Sequence, residues 1–124
     1  MPYIDKYECR GCRFRFPTGW GGCMYAIDAT GNRVVCPHPK EFWVVPRVTG
    51  MSYKDALAAG RTGFSSHCVC LDCLAQFDLD LERDARHCPK CSSPKVNSAD
   101  ELVDKPCPRC KSGKVERIPT GMMS

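Results

Sequence analysis

The sequence predicts a small, mostly β protein held together by metal: tandem zinc ribbons made of short antiparallel hairpins, with one short connecting helix. Three observations carry this expectation. Eleven of the 124 residues are cysteine, and a chain this small, with so few conventional apolar residues, does not hold itself by its core alone. Four cysteine pairs share the spacing C-x-x-C: Cys9/Cys12, Cys70/Cys73, Cys88/Cys91 and Cys107/Cys110. Around them the chain alternates at period two or carries turn residues, as short strands do.

The cysteine pattern also points to a compartment. An odd count suits a disulfide framework poorly. The start of the chain, Met1-Pro2-Tyr3-Ile4-Asp5-Lys6, has no apolar stretch of the kind a secretory signal carries, so a cytoplasmic location is expected. In a reducing compartment, C-x-x-C pairs are metal knuckles or redox sites. No apolar run approaches the roughly 18–20 residues of a membrane span. A knuckle suits zinc because its tight turn brings two thiolates to one side of the chain, about 2.3 Å from a shared tetrahedral ion. N–H groups in the turn can point at the sulfurs and offset their charge.

Taken in order, residues 1–48 read as an N-terminal ribbon-like unit. Arg13-Phe14-Arg15-Phe16 alternates as a strand with a basic and an aromatic face. Gly19-Trp20-Gly21-Gly22 is a loop. The runs from Met24 to Asp28 and from Arg33 to Cys36 flank Thr30-Gly31-Asn32 as a hairpin. Phe42 to Val45, ahead of Pro46, reads as an edge strand. Residues 49–66 form a connector, in which Ser52 and Asp55 mark the start of a short helix and Gly60 its stop. Residues 67–104 form a central ribbon, with Phe77 to Leu81 alternating as a strand. Residues 105–124 carry the last knuckle and a strand from Lys114 to Ile118, packed on the central ribbon. The segments 88–96 and 107–115 repeat one another, with six of nine positions identical, so both are expected to build a knuckle, a turn and a strand.

C-P-x-C followed by serine and a strand resembles the knuckle of zinc ribbons and rubredoxin-like domains. The opening, Met1-Pro2-Tyr3 and then Tyr7-Glu8-Cys9-Arg10-Gly11-Cys12-Arg13-Phe14-Arg15-Phe16, is similar to the FmdB-type regulatory zinc ribbon over roughly its first 16 residues. That family closes its ribbon with a second C-P-x-C, whereas the next half-site here is Cys36-Pro37-His38-Pro39. The whole chain also resembles small multi-knuckle zinc-ribbon proteins of bacteria. The resemblance implies a zinc-ribbon fold and bound metal, and only loosely nucleic-acid or protein binding.

Two pairings have ribbon spacing, Cys70/Cys73 with Cys88/Cys91 and Cys88/Cys91 with Cys107/Cys110; Cys70, Cys73, Cys88 and Cys91 around one ion is preferred because a strand-like segment lies between those knuckles. Cys9, Cys12, Cys36 and His38 form a second expected set. A third would need Cys107 and Cys110 with two further ligands, for which Cys68 and His87 are the better pair. Alternatively the last two knuckles close on each other. Two or three zinc ions are therefore expected, and iron, which shares tetrahedral thiolate geometry, is the alternative metal. Cys23 reads as a small buried hydrophobe, and His67 and His87 as hydrogen-bonded or surface imidazoles when not ligands. Trp20 reads as a lid or a stacking ring, and Asp78, Asp80, Glu82 and Asp84 as a solvated face.

No catalytic role is expected. A zinc deaminase would pair P-C-x-x-C with H-x-E or C-x-E, and neither tripeptide occurs. A thioredoxin-like site would sit in a βαβ unit, and none is visible. No small-molecule substrate is suggested. The net charge of +4 is uneven: +3 over residues 1–48, zero over 49–74, −3 over 75–104 and +4 over 105–124. Arg10, Arg13 and Arg15 cluster with Phe14 and Trp20, a mixture that suits phosphate and base stacking. The expected activity is therefore non-enzymatic binding of nucleic acid or of a machine that handles it. The alternatives are a protein–protein adaptor with purely structural zinc and a rubredoxin-like iron protein.

Overall fold

The structure is a computed structural model that describes residues 3–17, 19 and 21–123. Its elements run β1 (Tyr3–Cys9), β2 (Gly22–Ile27), β3 (Arg33–Cys36), α1 (Glu41–Thr49), α2 (Tyr53–Ala58), β4 (Thr62–Cys70), β5 (Gln76–Leu79), β6 (Val96–Ser98), α3 (Ala99–Leu102) and β7 (Val115–Met123). It is mostly β, with three short helices among the described residues where the sequence suggested one. The chain divides into two units: Met1–Gly22 with Ser66–Ser124, here the ribbon unit, and Cys23–Ser65, here the insert. This partition replaces the sequential one of 1–48, 49–66, 67–104 and 105–124. The first 22 residues join the C-terminal half because β1 pairs antiparallel with β7, in a register that runs from Tyr3↔Met123 to Cys9↔Val115.

In the insert, β2 pairs antiparallel with β3, from Met24↔Cys36 to Ile27↔Arg33. The turn between them is held by Asp28, whose Oδ1 accepts from the N–H groups of Thr30 and Asn32, both at 2.9 Å. The Thr30 hydroxyl and these N–H groups hold the Asp28 carboxyl below its ordinary range. The first residues of β4 flank the other side of β2. Gly63 is required there, because a Cβ on it would lie 2.3 Å from the Tyr25 ring.

The segment from Phe42 to Val45 is helical, contrary to the expected edge strand. Val44, Val45 and Val48 stand at helical spacing and pack with Ala26, Cys36 and Ala56. Pro46 removes one N–H from α1, yet helical bonding resumes after it, with the Gly50 N–H on Pro46 O at 2.9 Å. Helix α2 starts at the expected cap, where Ser52 Oγ accepts from the Asp55 N–H at 3.1 Å.

In the ribbon unit the last five residues of β4 form the central wall. They pair with β5 from Ser66↔Leu79 to Val69↔Gln76, and with β6 from Cys68↔Ser98 to Cys70↔Val96. The last three residues of this stretch, Cys68, Val69 and Cys70, are buried on both faces. Val69 joins one cluster with Tyr7, Phe14, Phe16, Leu102 and Val115. Cys68 and Cys70 join another with Cys88, Val96 and Phe77. Helix α3 is a single turn fixed by a capping box, with Ser98 Oγ accepting from the Glu101 N–H and Glu101 Oε1 from the Ser98 N–H. The Arg86 guanidinium forks onto Glu101 at 2.7 and 2.8 Å and, against the opposing effect of burial, holds its carboxyl down to about 2.

Candidate metal centres

All four C-x-x-C pairs fold into the same backbone device. In each, the N–H of the residue after the second cysteine returns to the carbonyl of the first: Arg13 to Cys9, Leu74 to Cys70, Ser92 to Cys88 and Lys111 to Cys107, at 2.8–3.2 Å. Each of these four residues is left-handed, with φ between 61° and 66°. None is glycine, so each accepts an unfavourable backbone to turn the chain around its two sulfurs. The first cysteine then bonds forward across the turn, as from Cys9 N to Phe14 O and from Cys88 N to Ser93 O. In the last knuckle this bond runs from Cys107 N to Gly113 O, one residue further than the repeat with 88–96 implies.

The knuckles combine in two pairs, both inside the ribbon unit. The inner centre is Cys70, Cys73, Cys88 and Cys91; the outer centre is Cys9, Cys12, Cys107 and Cys110. Within each group all four sulfurs lie within 4.8 Å of one another. Facing sulfurs stand at 3.5 Å for Cys70–Cys91 and Cys73–Cys88 in the inner centre, and at 3.5 Å for Cys12–Cys107 and 3.7 Å for Cys9–Cys110 in the outer. Four sulfurs each about 2.3 Å from a shared ion stand about 3.8 Å apart at tetrahedral angles. Both groups therefore have the donors and spacing to hold one metal ion each. Disulfide sulfurs would be about 2.0 Å apart, and none of the eleven cysteines is in a disulfide.

The turns supply donors to the sulfurs. The Lys90 and Cys91 N–H groups point at Cys88 Sγ from 3.3 and 3.4 Å, Arg109 N–H at Cys107 Sγ from 3.4 Å, and Gly113 N–H at Cys110 Sγ from 3.4 Å. Burial opposes ionisation of Cys88, but the Cys91 and Lys90 N–H groups outweigh it and bring the thiol down to about 7. The Gly113 N–H and the Ser112 hydroxyl bring Cys110 down to about 6. Each centre also has a thiol that resists ionisation. Although the Ser93 N–H favours its charge, Cys91 is pushed up to about 12 by the Cys70 sulfur and by burial. Cys12, despite the Phe14 N–H, is pushed up to about 11 by burial and by the Cys107 sulfur. A bound cation removes that conflict, because it favours the thiolate at all four positions.

These pairings revise the expected ligand sets. Cys9 and Cys12 are grouped with Cys107 and Cys110, not with Cys36 and His38. The latter two belong to the insert, where each has a local partner. Buried Cys36 donates from Sγ to Val34 O at 3.6 Å, and burial raises its pKa. His38 Nδ1 stands 2.6 Å from Glu41 Oε2. The knuckle grouped with Cys9 and Cys12 is Cys107-Pro108-Arg109-Cys110. No third group of three or more ligand side chains occurs among the described residues. Cys68 is fully buried in the inner cluster, donates to Ser66 O at 3.4 Å, and is pushed up to about 11 by burial. Exposed His87 belongs to neither centre, nor does half-buried Cys23. His67 is held by Asp78, Nδ1 to Oδ1 at 2.7 Å. Asp80, expected on a solvated face, is only 3% exposed because its carboxylate accepts the Glu82 N–H inside a turn.

Comparison with protein families, with curated proteins and with solved structures finds no match for this chain.

The expected nucleic-acid residues separate into two groups. The period-two alternation of residues 13–16 holds, but its aromatic face points inward. Phe14 and Phe16 are 5% and 3% exposed and pack edge to face with centroids 5.4 Å apart. Phe14 is therefore a core residue and not a stacking surface. Arg13 and Arg15 point outward and, with Lys6, Glu8, Cys9, Arg10 and Ile118, line an open groove of about 570 Å³ beside the outer centre. Arg10 also pairs with Glu116 at 2.9 Å. Trp20 lies outside the described residues. No helix among the described residues is long and apolar enough to cross a membrane.

Proposed function

We propose that this is a non-enzymatic binding protein with two structural zinc ions, and that it holds the phosphate backbone of nucleic acid in the groove beside the outer centre. Zinc is the plainer reading because two closed tetrathiolate knuckles suit structural sites that supply folding energy; iron would fit the same geometry, so metal analysis decides. The observation that carries the binding role is the groove itself, where Lys6, Arg10, Arg13 and Arg15 converge against one carboxylate, Glu8. Net charge does not carry it. Zn²⁺ with four thiolates has a charge of −2, so two centres bring the chain's +4 to zero. Attraction must then come from where the cations stand. With Phe14 and Phe16 buried, binding rests on phosphates and not on base stacking.

Two experiments test this. Elemental analysis with native mass is expected to give two zinc ions per chain and a colourless protein; visible absorption with stoichiometric iron overturns the metal assignment. Titration of a labelled oligonucleotide at several salt concentrations tests the groove. If Lys6, Arg13 and Arg15 each neutralise one phosphate of a single strand, log K falls with log salt at a slope of about −2. Arg13→Ala with Arg15→Ala is expected to bring that slope close to −0.7. No binding at low salt, or an unchanged slope in the double variant, defeats the proposal.

A further inference from the structure

A second groove, of about 410 Å³, runs between the two kinds of knuckle within the ribbon unit. One wall is Leu71 and Asp72, the two residues between Cys70 and Cys73. The other is Pro106, Cys107 and Pro108 of the outer knuckle, and Leu102, only 4% exposed, lies between them. Lys95, Lys105 and Lys111 stand on the rim and are exposed. The single rim carboxylate, Asp72, already accepts the Ser93 hydroxyl and faces Lys95 at 3.9 Å. Among the described residues, Lys105 and Lys111 form no ion pair.

We propose that this groove docks a peptide segment that carries carboxylates around an apolar side chain. Charge complementarity selects the carboxylates: Lys95 already faces Asp72, and Lys105 and Lys111 add two ammonium groups that no second carboxylate of the lining offsets. The lining selects peptide over nucleic acid. Leu71, Leu102, Pro106 and Pro108 form an apolar bed that a phosphate backbone cannot match, and no aromatic ring is present to stack a base. No arginine lines it, so the bidentate fork that favours phosphate is also missing. The first groove differs in its cations and its polarity, with three arginines and a more polar lining. The proposal thus concerns a separate surface and stands whether or not the first groove binds nucleic acid.

The test uses the full chain with its metal and a short fluorescein-labelled peptide of alternating aspartate and leucine. Fluorescence anisotropy at low salt is expected to show saturable binding, and none for the counterpart with lysine in place of aspartate. Lys105→Glu with Lys111→Glu is expected to weaken the peptide by about tenfold or more, since like charges would then face it. Arg13→Ala with Arg15→Ala is expected to leave it unchanged. On the unaltered protein, amide shifts on adding peptide are expected to concentrate at Leu71, Lys95, Lys105 and Lys111, which keeps the test valid should the charge-reversed variant lose metal. The proposal is overturned by absence of peptide binding, by equal binding of the lysine peptide, or by shifts elsewhere in the chain. It is also overturned if an oligonucleotide displaces the peptide from the Arg13/Arg15 variant, because nucleic acid would then be the occupant.

Discussion

At the inner centre the facing cysteines Cys73 and Cys88 are 15 positions apart; at the outer, Cys12 and Cys107 are 95 apart. The two centres share the same knuckle, the same left-handed residue after it and similar sulfur spacing. What differs is how the halves meet. The inner knuckles are joined by a short excursion through β5. The outer pair is brought into line by the ladder of β1 on β7, which ends at Cys9↔Val115. The longer loop costs about 1.6 kcal/mol more to close, from (3/2)RT ln(95/15). That is small beside the roughly 10–16 kcal/mol of apparent binding energy at a structural zinc site. Length is therefore no barrier to the outer centre, but its sulfurs assemble only where the ladder and the packing beneath it already exist.

The largest expected effect follows from that dependence. The cluster around the outer centre includes Val69 from β4 and Ala99 and Leu102 from α3, all placed by the inner ribbon. Cys88→Ser is expected to release metal from both centres and to unfold the ribbon unit. Cys107→Ser is expected to release one ion and leave the inner centre loaded. Metal content per chain, read with native mass, separates the two. If Cys88→Ser keeps the outer ion, or Cys107→Ser loses both, the centres are not ordered in this way.

A smaller effect separates what the knuckle needs from what the long-range closure needs. A Cβ at Gly113 would lie 2.7 Å from Cys9 Sγ, while one at Gly11 would lie 3.7 Å from the same sulfur, an ordinary contact. The matching position in the inner repeat is Pro94, so the knuckle itself does not demand glycine. Only the approach of the distant Cys9 does. Gly113→Ala is expected to cost about 1–3 kcal/mol, felt as weaker metal binding at the outer centre in chelator competition, with the inner centre unchanged. Gly11→Ala is expected to leave both centres alone. Equal behaviour of the two variants would show that the outer sulfurs do not approach as described.

The same contrast explains what was legible in the sequence. The inner centre is local: ribbon spacing with a strand-like segment between the knuckles put Cys70, Cys73, Cys88 and Cys91 first, although Cys88 and Cys91 with Cys107 and Cys110 fit the spacing as well. The hairpin around Asp28 and the Ser52 cap were legible for the same reason, since both are decided within a few residues. The outer centre was not, because nothing near Cys9 and Cys12 names Cys107 and Cys110; Cys36 and His38 were simply the nearer donors. The signal that could have found it was the closing C-P-x-C form, together with the match between a strand ahead of the first knuckle and one after the last. Phe14 shows a second limit. Alternation sorted residues 13–16 into two faces correctly, but only tertiary packing decides which face is buried. At Phe42 to Val45 an edge-strand expectation gave way to the helical spacing of Val44, Val45 and Val48 once that face found Ala26 and Ala56.

The smallest expected effect tests the link between the two halves of the ribbon unit. Tyr7 of β1 is buried, and its hydroxyl donates to Asp100 Oδ1 of α3 at 2.8 Å. Burial, reinforced by this hydrogen bond and the Asp100 charge, pushes the phenol up to about 12. A folded-state value above the ordinary 10 favours the neutral phenol in the folded chain. The stabilisation is therefore complete below pH 10 and is lost as pH rises from 10 to about 12. Asp100 is exposed, so Tyr7→Phe leaves no buried acceptor behind and is expected to cost only about 1 kcal/mol at neutral pH. The gap in urea midpoint between the two proteins is expected to close above pH 10, and one late tyrosinate step among the four tyrosines is expected to vanish in the variant. If Tyr7 instead ionises near the ordinary 10, β1 is not tied to α3 through Asp100. The dependence of the outer centre on the inner one would then rest on the packing of Val69, Ala99 and Leu102 alone.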